Sequence, residues 1–152
     1  MEIERKFTIK DLPKDLVFFP CHIIEQAYLN TDPVVRIRRQ DDDYYMTYKG
    51  KGLMAREEYN LPLNRPSYEH LLTKADGNII SKKRYLIPCP PYTIELDIFD
   101  PPFAPLIIAE VEFPSVEEAE CFLPPDWFDR DVTNDPAYHN STLSKTPRDA
   151  DK

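Results

Sequence analysis

Charged residues recur at every second position in seven short segments of this chain, and that period of two constrains the fold more than any other feature. A β-strand sends successive side chains to opposite faces, so alternation over five to nine residues points to strands with one polar and one apolar face. The first segment, Met1 to Ile9, places Glu2, Glu4, Lys6 and Thr8 on one face and Ile3, Phe7 and Ile9 on the other. The pattern continues with Arg36, Arg38 and Gln40 in Val34–Gln40, and with Lys49 and Lys51 in Tyr45–Lys51. Arg56, Glu58 and Asn60 alternate in Arg56–Asn60, and Lys82 and Arg84 in Ile80–Tyr85. Glu95 and Asp97 do so in Tyr92–Ile98, and Glu110 and Glu112 in Ile107–Phe113. Opposite these charges stand Val35 and Ile37, Met46 and Tyr48, Ile94, Leu96 and Ile98, and Ala109, Val111 and Phe113.

An eighth strand is expected over Cys21–Leu29. Antiparallel strands of this number can close into a barrel, and the class is mostly β, α+β in detail. Two helices are expected. One covers Ser67–Leu72 behind Pro66, and the other covers Ser115–Leu123, where Ser115 and Glu118 have the capping-box spacing. Sixteen prolines against three glycines punctuate element ends, as at Pro88–Pro91 and Pro101–Pro102. At 152 residues the chain is read as one domain over residues 1–143, with a polar, flexible tail over 144–152.

Net charge is −8, which argues against a general nucleic-acid or anionic-membrane surface. The bases are nevertheless concentrated. Eight of the 19 Lys and Arg residues fall on the alternating faces, together with seven acids. That mixture suits a multiply charged anion and the metal that neutralises it. An antiparallel sheet with one solvated, salt-bridged face explains the same alternation, and the residues alone leave the two open. Cys21, Cys89 and Cys121 are odd in number and show no CxxC spacing, so reduced thiols and a cytoplasmic setting are expected. No signal peptide or membrane-length apolar run is read.

With these residues in view the chain resembles the CYTH domain proteins, or triphosphate tunnel metalloenzymes. The family's opening Glu-x-Glu-x-Lys stands as Glu2-Ile3-Glu4-Arg5-Lys6, at the very start of the chain. It is followed in order by Arg36-Ile37-Arg38, Lys49-Gly50-Lys51-Gly52, Arg56-Glu57-Glu58, Lys82-Lys83-Arg84-Tyr85, Glu95-Leu96-Asp97 and Glu110-Val111-Glu112. The resemblance implies an eight-stranded antiparallel β-barrel with a charged central tunnel flanked by a few helices. It also implies metal-dependent hydrolysis of a small-molecule triphosphate, most simply inorganic tripolyphosphate, with nucleoside triphosphates as weaker substrates. Lys6, Arg36, Arg38, Lys49, Lys51, Arg56, Lys82 and Arg84 would bind phosphoryl oxygens. Glu2, Glu4 and Glu112 would be primary ligands of one or two Mg²⁺ or Mn²⁺ ions, with Glu110, Asp97, Glu95 and Glu58 as further candidates. Catalytic roles fall to Glu58, Glu110, Lys6 and Arg56, the identity of the base staying open between Glu58 and the Glu110/Glu112 pair. Many family members are dimers, so a homodimer is one option.

Two other functions fit the same residues. One is a class IV-type adenylate cyclase, which would hold ATP for attack of its 3′-oxygen on the α-phosphate. The other is a non-catalytic polyphosphate- or nucleotide-binding module, against which the seven acids argue. Asn60 departs from the family's common acid at that position. His22, His70 and His139 are read as surface or boundary histidines, and Asp41–Asp43 as a hairpin turn. Arg5, Arg39 and Glu57 are read as outward charges, and Trp127 as a packing anchor.

Overall fold

A computed structural model describes residues 1–145. In chain order the strands are β1 (Glu2–Ile9), β2 (Cys21–Thr31), β3 (Val34–Gln40), β4 (Asp43–Lys49), β5 (Ala55–Arg56), β6 (Glu58–Leu63), β7 (Asp76–Cys89), β8 (Tyr92–Phe99), β9 (Ile107–Glu112) and β10 (Phe128–Asp131). The helices are α1 (Arg65–Leu72), α2 (Val116–Cys121) and α3 (Asn140–Leu143). Every pairing is antiparallel, in the order β10-β1-β9-β8-β7-β2-β3-β4-β6, with β5 on β1.

β6, at one end of this path, connects back to β1 through β5. β6 pairs with β4, and β5, one residue earlier in the chain, pairs with β1 through Glu2↔Arg56 and Ile3↔Ala55. With β5 and β6 taken as one strand interrupted at Glu57, eight segments form the circuit of pairings, and β10 adds to β1 beside β5. The expected single strand Arg56–Asn60 is thus split. The break lets the chain change partner from β1 to β4, and Gly50 N donates to the Glu57 carbonyl at the exchange. β7 is longer than expected, and β10 and α3 had no periodic signal.

Strand parity separates two environments. Outward-facing Ile3, Phe7, Ile94, Leu96, Ala109 and Val111 pack beneath α2 with Phe113, Phe122 and Phe128. Outward Ala27 and Ile37 pack beneath Tyr68 of α1. The helices form where expected, each with a side-chain cap: Asn64 accepts from Ser67 N at 2.8 Å, and Ser115 Oγ from Glu118 N at 3.1 Å. The inward face is less uniformly charged than expected. Tyr28, Val34, Ile80, Phe99 and Ile108 form an apolar cluster at one end of it, packed against Leu143 of α3. Hydrophobic burial therefore holds both surfaces of the sheet, and the charged groups occupy the remainder of the lumen.

Several peripheral expectations change. His139 is buried, with Nε2 3.1 Å from the Thr133 carbonyl, because the C-terminal segment folds back onto β1 and β7. Arg5 is more than a surface charge: it donates to the Ala119 and Phe122 carbonyls and pairs with Asp131 at 2.8 Å, tying β1 to α2 and β10. The polar end is not loose up to Ser144, which is buried and accepts from Asn78 N. Residues 146–152 of the expected tail lie outside the described residues. Asp41 turns the β3–β4 hairpin as expected, at φ 54°. No described helix is long and apolar enough to cross a membrane.

Candidate active site

Inward positions of β1 to β9 and the first residues of α3 surround a cavity of about 380 Å³. It is lined by Glu2, Glu4, Lys6, Arg36, Arg38, Lys49, Arg56, Glu58, Arg84, Glu95, Glu110 and Glu112 among the expected site residues. Antiparallel register explains the convergence. Directly opposed residues share a face, and the register sets Glu4 against Glu112, Lys6 against Glu110, Glu110 against Glu95, and Arg84 against Asp97.

Three expected residues stand elsewhere. Lys51 is exposed, in the loop after β4, because the strand stops at Lys49 and the alternation does not continue through Gly50. Lys82 and Asp97 lie behind the lining, both fully buried and 2.7 Å apart. Asp97 also accepts from Arg84 at 2.7 and 2.9 Å. Burial raises its carboxyl, but the charges of Arg84 and Lys82 outweigh burial and hold it below the usual range. Asp97 is therefore occupied as the counter-ion of two cations. Burial pulls the Lys82 ammonium down to about 7 against the attraction of Asp97, with the charges of Arg84 and Arg38 adding to the fall.

The cationic wall is preorganised. Arg38 donates through Nε to Gln26 at 2.9 Å, and Arg36 Nη2 donates to Thr47 at 3.1 Å. Thr47 in turn donates to Asn60 at 2.6 Å, and Asn60 donates to Glu58 at 3.0 Å. Arg36 Nε is buried with no hydrogen-bond partner among the described residues. A buried guanidinium N–H without a partner carries a desolvation cost. Lys49 donates to Glu2 at 2.8 Å, and Lys6 stands 3.2 Å from Glu110.

The carboxylates divide into two groups. Glu110 is buried, which alone would raise it, yet the charges of Lys6, Arg84 and Lys82 hold it well below the usual range. Glu58 is held low despite burial, by hydrogen bonding to Glu2 and by the charge of Lys49. Glu4 moves the other way, to about 8, through burial and then the charge of Glu110. Glu2 is raised by burial and by sharing a proton with Glu58, and Glu112 by burial and the charge of Glu2. At Glu2, Glu4 and Glu112 burial and neighbouring acids thus outweigh the nearby cations, although Lys49 contacts Glu2 at 2.8 Å, and Glu4 is paired with Glu112 in register.

A hard divalent cation fits this donor set. Among the described residues no three carboxylate, histidine or cysteine side chains form a ready metal-binding group. Mg²⁺-like ions do not require one, since they retain waters and use one or two carboxylates together with substrate phosphates. The oxygen donors and the raised carboxyls suit such an ion.

Tyr28, Asn140 and Ser141 also line the cavity, and none was among the expected site residues. Tyr28 was accessible from parity, two positions beyond Gln26 on β2. Asn140, which accepts from Lys82 Nζ at 3.3 Å, reaches the site only because the C-terminal segment packs across β2 and β7.

The family profile described as CYTH domain matches residues 1–120. A Nitrosomonas europaea protein named inorganic triphosphatase is 37% identical over 148 residues, covering 94% of this chain and 96% of that protein. An inorganic triphosphatase from Acetivibrio thermocellus is 36% identical over 154 residues, covering 96% and 94%. A crystal structure of an inorganic triphosphatase superposes with a TM-score of 0.73 at 34% identity, covering 97% of each chain. Over a matched region that contains every charged residue of the cavity, this chain belongs to the CYTH domain family.

Proposed function

We propose that this protein hydrolyses inorganic tripolyphosphate to pyrophosphate and phosphate with the help of one or two divalent cations, Mg²⁺ or Mn²⁺. The observation that carries the reading is the partition of one cavity. Arg36, Arg38, Lys49, Arg56 and Arg84 line the same space as Glu2, Glu4 and Glu112, whose carboxyls burial and neighbouring acids raise. An anion-binding module alone gains nothing from those carboxylates. The relatives named inorganic triphosphatase support the same reading.

Arg36, Arg38, Arg56 and Arg84 contact phosphoryl oxygens, Arg38 and Arg84 through N–H groups left over from their bonds to Gln26 and Asp97, and Lys6 and Lys49 add point charges. Glu2, Glu4 and Glu112 would hold the cation, which would supply positive charge to offset that of the phosphates. Glu58, ionised and held by Asn60, is the first candidate to accept the proton of the attacking water; Glu110 is tied to Lys6. The apolar cluster of Tyr28, Val34, Ile80, Phe99 and Ile108 keeps bulk water from one end of the site.

Phosphate release measured with tripolyphosphate and ATP side by side, each with Mg²⁺ and with Mn²⁺, tests the proposal. Tripolyphosphate should turn over faster, and only with metal. A clear preference for ATP with cyclic AMP as product would replace this reading with the cyclase.

A pH dependence follows from Glu4. Its carboxyl carries a proton up to about pH 8, and a cation must displace it. Affinity for Mn²⁺ in the absence of substrate should therefore rise by up to about tenfold per pH unit between pH 6 and 8, then level off. Calorimetry in buffers of different ionisation enthalpy should read proton release at pH 7 and almost none at pH 9. Flat affinity across this range would remove Glu4 from the cation site.

A further inference from the structure

Two clefts adjoin the cavity, and they differ in charge. One, of about 550 Å³, shares Glu95 and Glu112 with it and adds Glu118; its lining has no lysine or arginine. The other, of about 390 Å³, shares Val34, Arg56 and Ser141 with the cavity and adds Lys51. Asp32 is the only carboxylate there, and the buried His139 that also lines it is pushed toward its neutral form by burial and by the charge of Lys6.

We propose that the Lys51 cleft is a second anion subsite, which takes the fourth phosphoryl group of a linear polyphosphate whose first three occupy the main cavity. This rests on the reading of that cavity as a triphosphate site. Three observations carry it. Lys51 is exposed and makes no ion pair or hydrogen bond with another described residue, whereas Lys6, Lys49 and Lys82 are all engaged with carboxylates. Arg56 lines both spaces, so one cation is common to the Lys51 cleft and the main cavity. The Glu118 cleft presents three carboxylates and would repel an extending phosphate chain, which favours the Lys51 side.

The loop that carries Lys51 is held in place. Gly52 has φ 124°, and a Cβ there would collide with the Ala55 carbonyl, so the tight turn needs glycine. Gly50 N bonds to the Glu57 carbonyl, and Glu4 N to the Met54 carbonyl. Lys51 is thereby presented beside the cavity by fixed backbone, and its ammonium, a compact and rotatable charge, suits a terminal phosphoryl group.

The test compares tripolyphosphate with tetrapolyphosphate for wild type, Lys51→Gln and Glu118→Gln. Both kcat/KM with metal and metal-free calorimetric affinity are measured. In K51Q the tetrapolyphosphate-to-tripolyphosphate ratio should fall about fivefold by both measures, and the difference should shrink as salt rises. E118Q should leave the ratio unchanged. A ratio unmoved in K51Q, or moved in E118Q instead, overturns the subsite. Absence of hydrolysis of either anion with the binding ratio still shifted in K51Q would defeat the triphosphatase reading and sustain the subsite. Intact tripolyphosphate turnover with an unmoved ratio would do the reverse.

Discussion

Glu4→Gln should lower metal-supported tripolyphosphate hydrolysis by at least about a hundredfold, the scale of losing one preorganised electrostatic contact to developing charge. The same substitution should make the metal-free protein more stable. Burial and the Glu110 charge raise the Glu4 carboxyl to about 8 from an ordinary 4.5. The folded state therefore binds the proton more tightly than the unfolded chain. The corresponding stability is fully present below about pH 4.5 and is lost as pH rises through about 8. At pH 7 most of that loss has accrued, on the order of 3 kcal/mol, and a neutral amide escapes it. Urea midpoints without divalent cations should show wild type declining between pH 5 and 8 while E4Q stays flatter and higher. A less stable E4Q at pH 7 would recast Glu4 as an essential counter-ion of Lys6, which stands 3.9 Å from it.

Asp97→Ala should have the largest effect on stability. It would leave Lys82 and Arg84 without the carboxylate that both contact at 2.7 Å, in a site where Asp97 and Lys82 are fully buried. Removing one partner of such a cluster costs about 3–5 kcal/mol, because the remaining charges stay desolvated. The Asp97 carboxyl is held below its ordinary value of 3.8, so its contribution is present above that pH and is lost as pH falls through the lower folded value. Equilibrium denaturation at pH 7 checks the magnitude. A loss under about 1 kcal/mol together with weakened cation binding would return Asp97 to the metal ligands that its spacing with Glu95 suggested.

These two carboxylates show where alternation along a strand stops being informative. Period two correctly assigns both Glu4 and Asp97 to the inward face, because parity is a local property of extended backbone. It carries no information about depth along the lumen. Glu4 meets Glu112 and Glu110, and Asp97 meets two cations, because of cross-strand register. The same limit explains Lys51, which alternates with Lys49 on paper but lies beyond the point where β4 loses its partners.

The sequence by itself determined the antiparallel β class, the two helices with the Ser115 cap of the second, most of the inward charged residues and the family. Each is encoded in spacing of a few residues or in an ordered series of short motifs. Only the tertiary structure decided the rest. It made one cavity from inward positions of β1 to β9, engaged Lys82 and Asp97 behind its wall, set Lys51 in an adjoining cleft and brought Asn140 across from the C-terminal segment. Those outcomes depend on register and on contacts between residues far apart in the chain, where burial and opposing charge choose each side chain's partner.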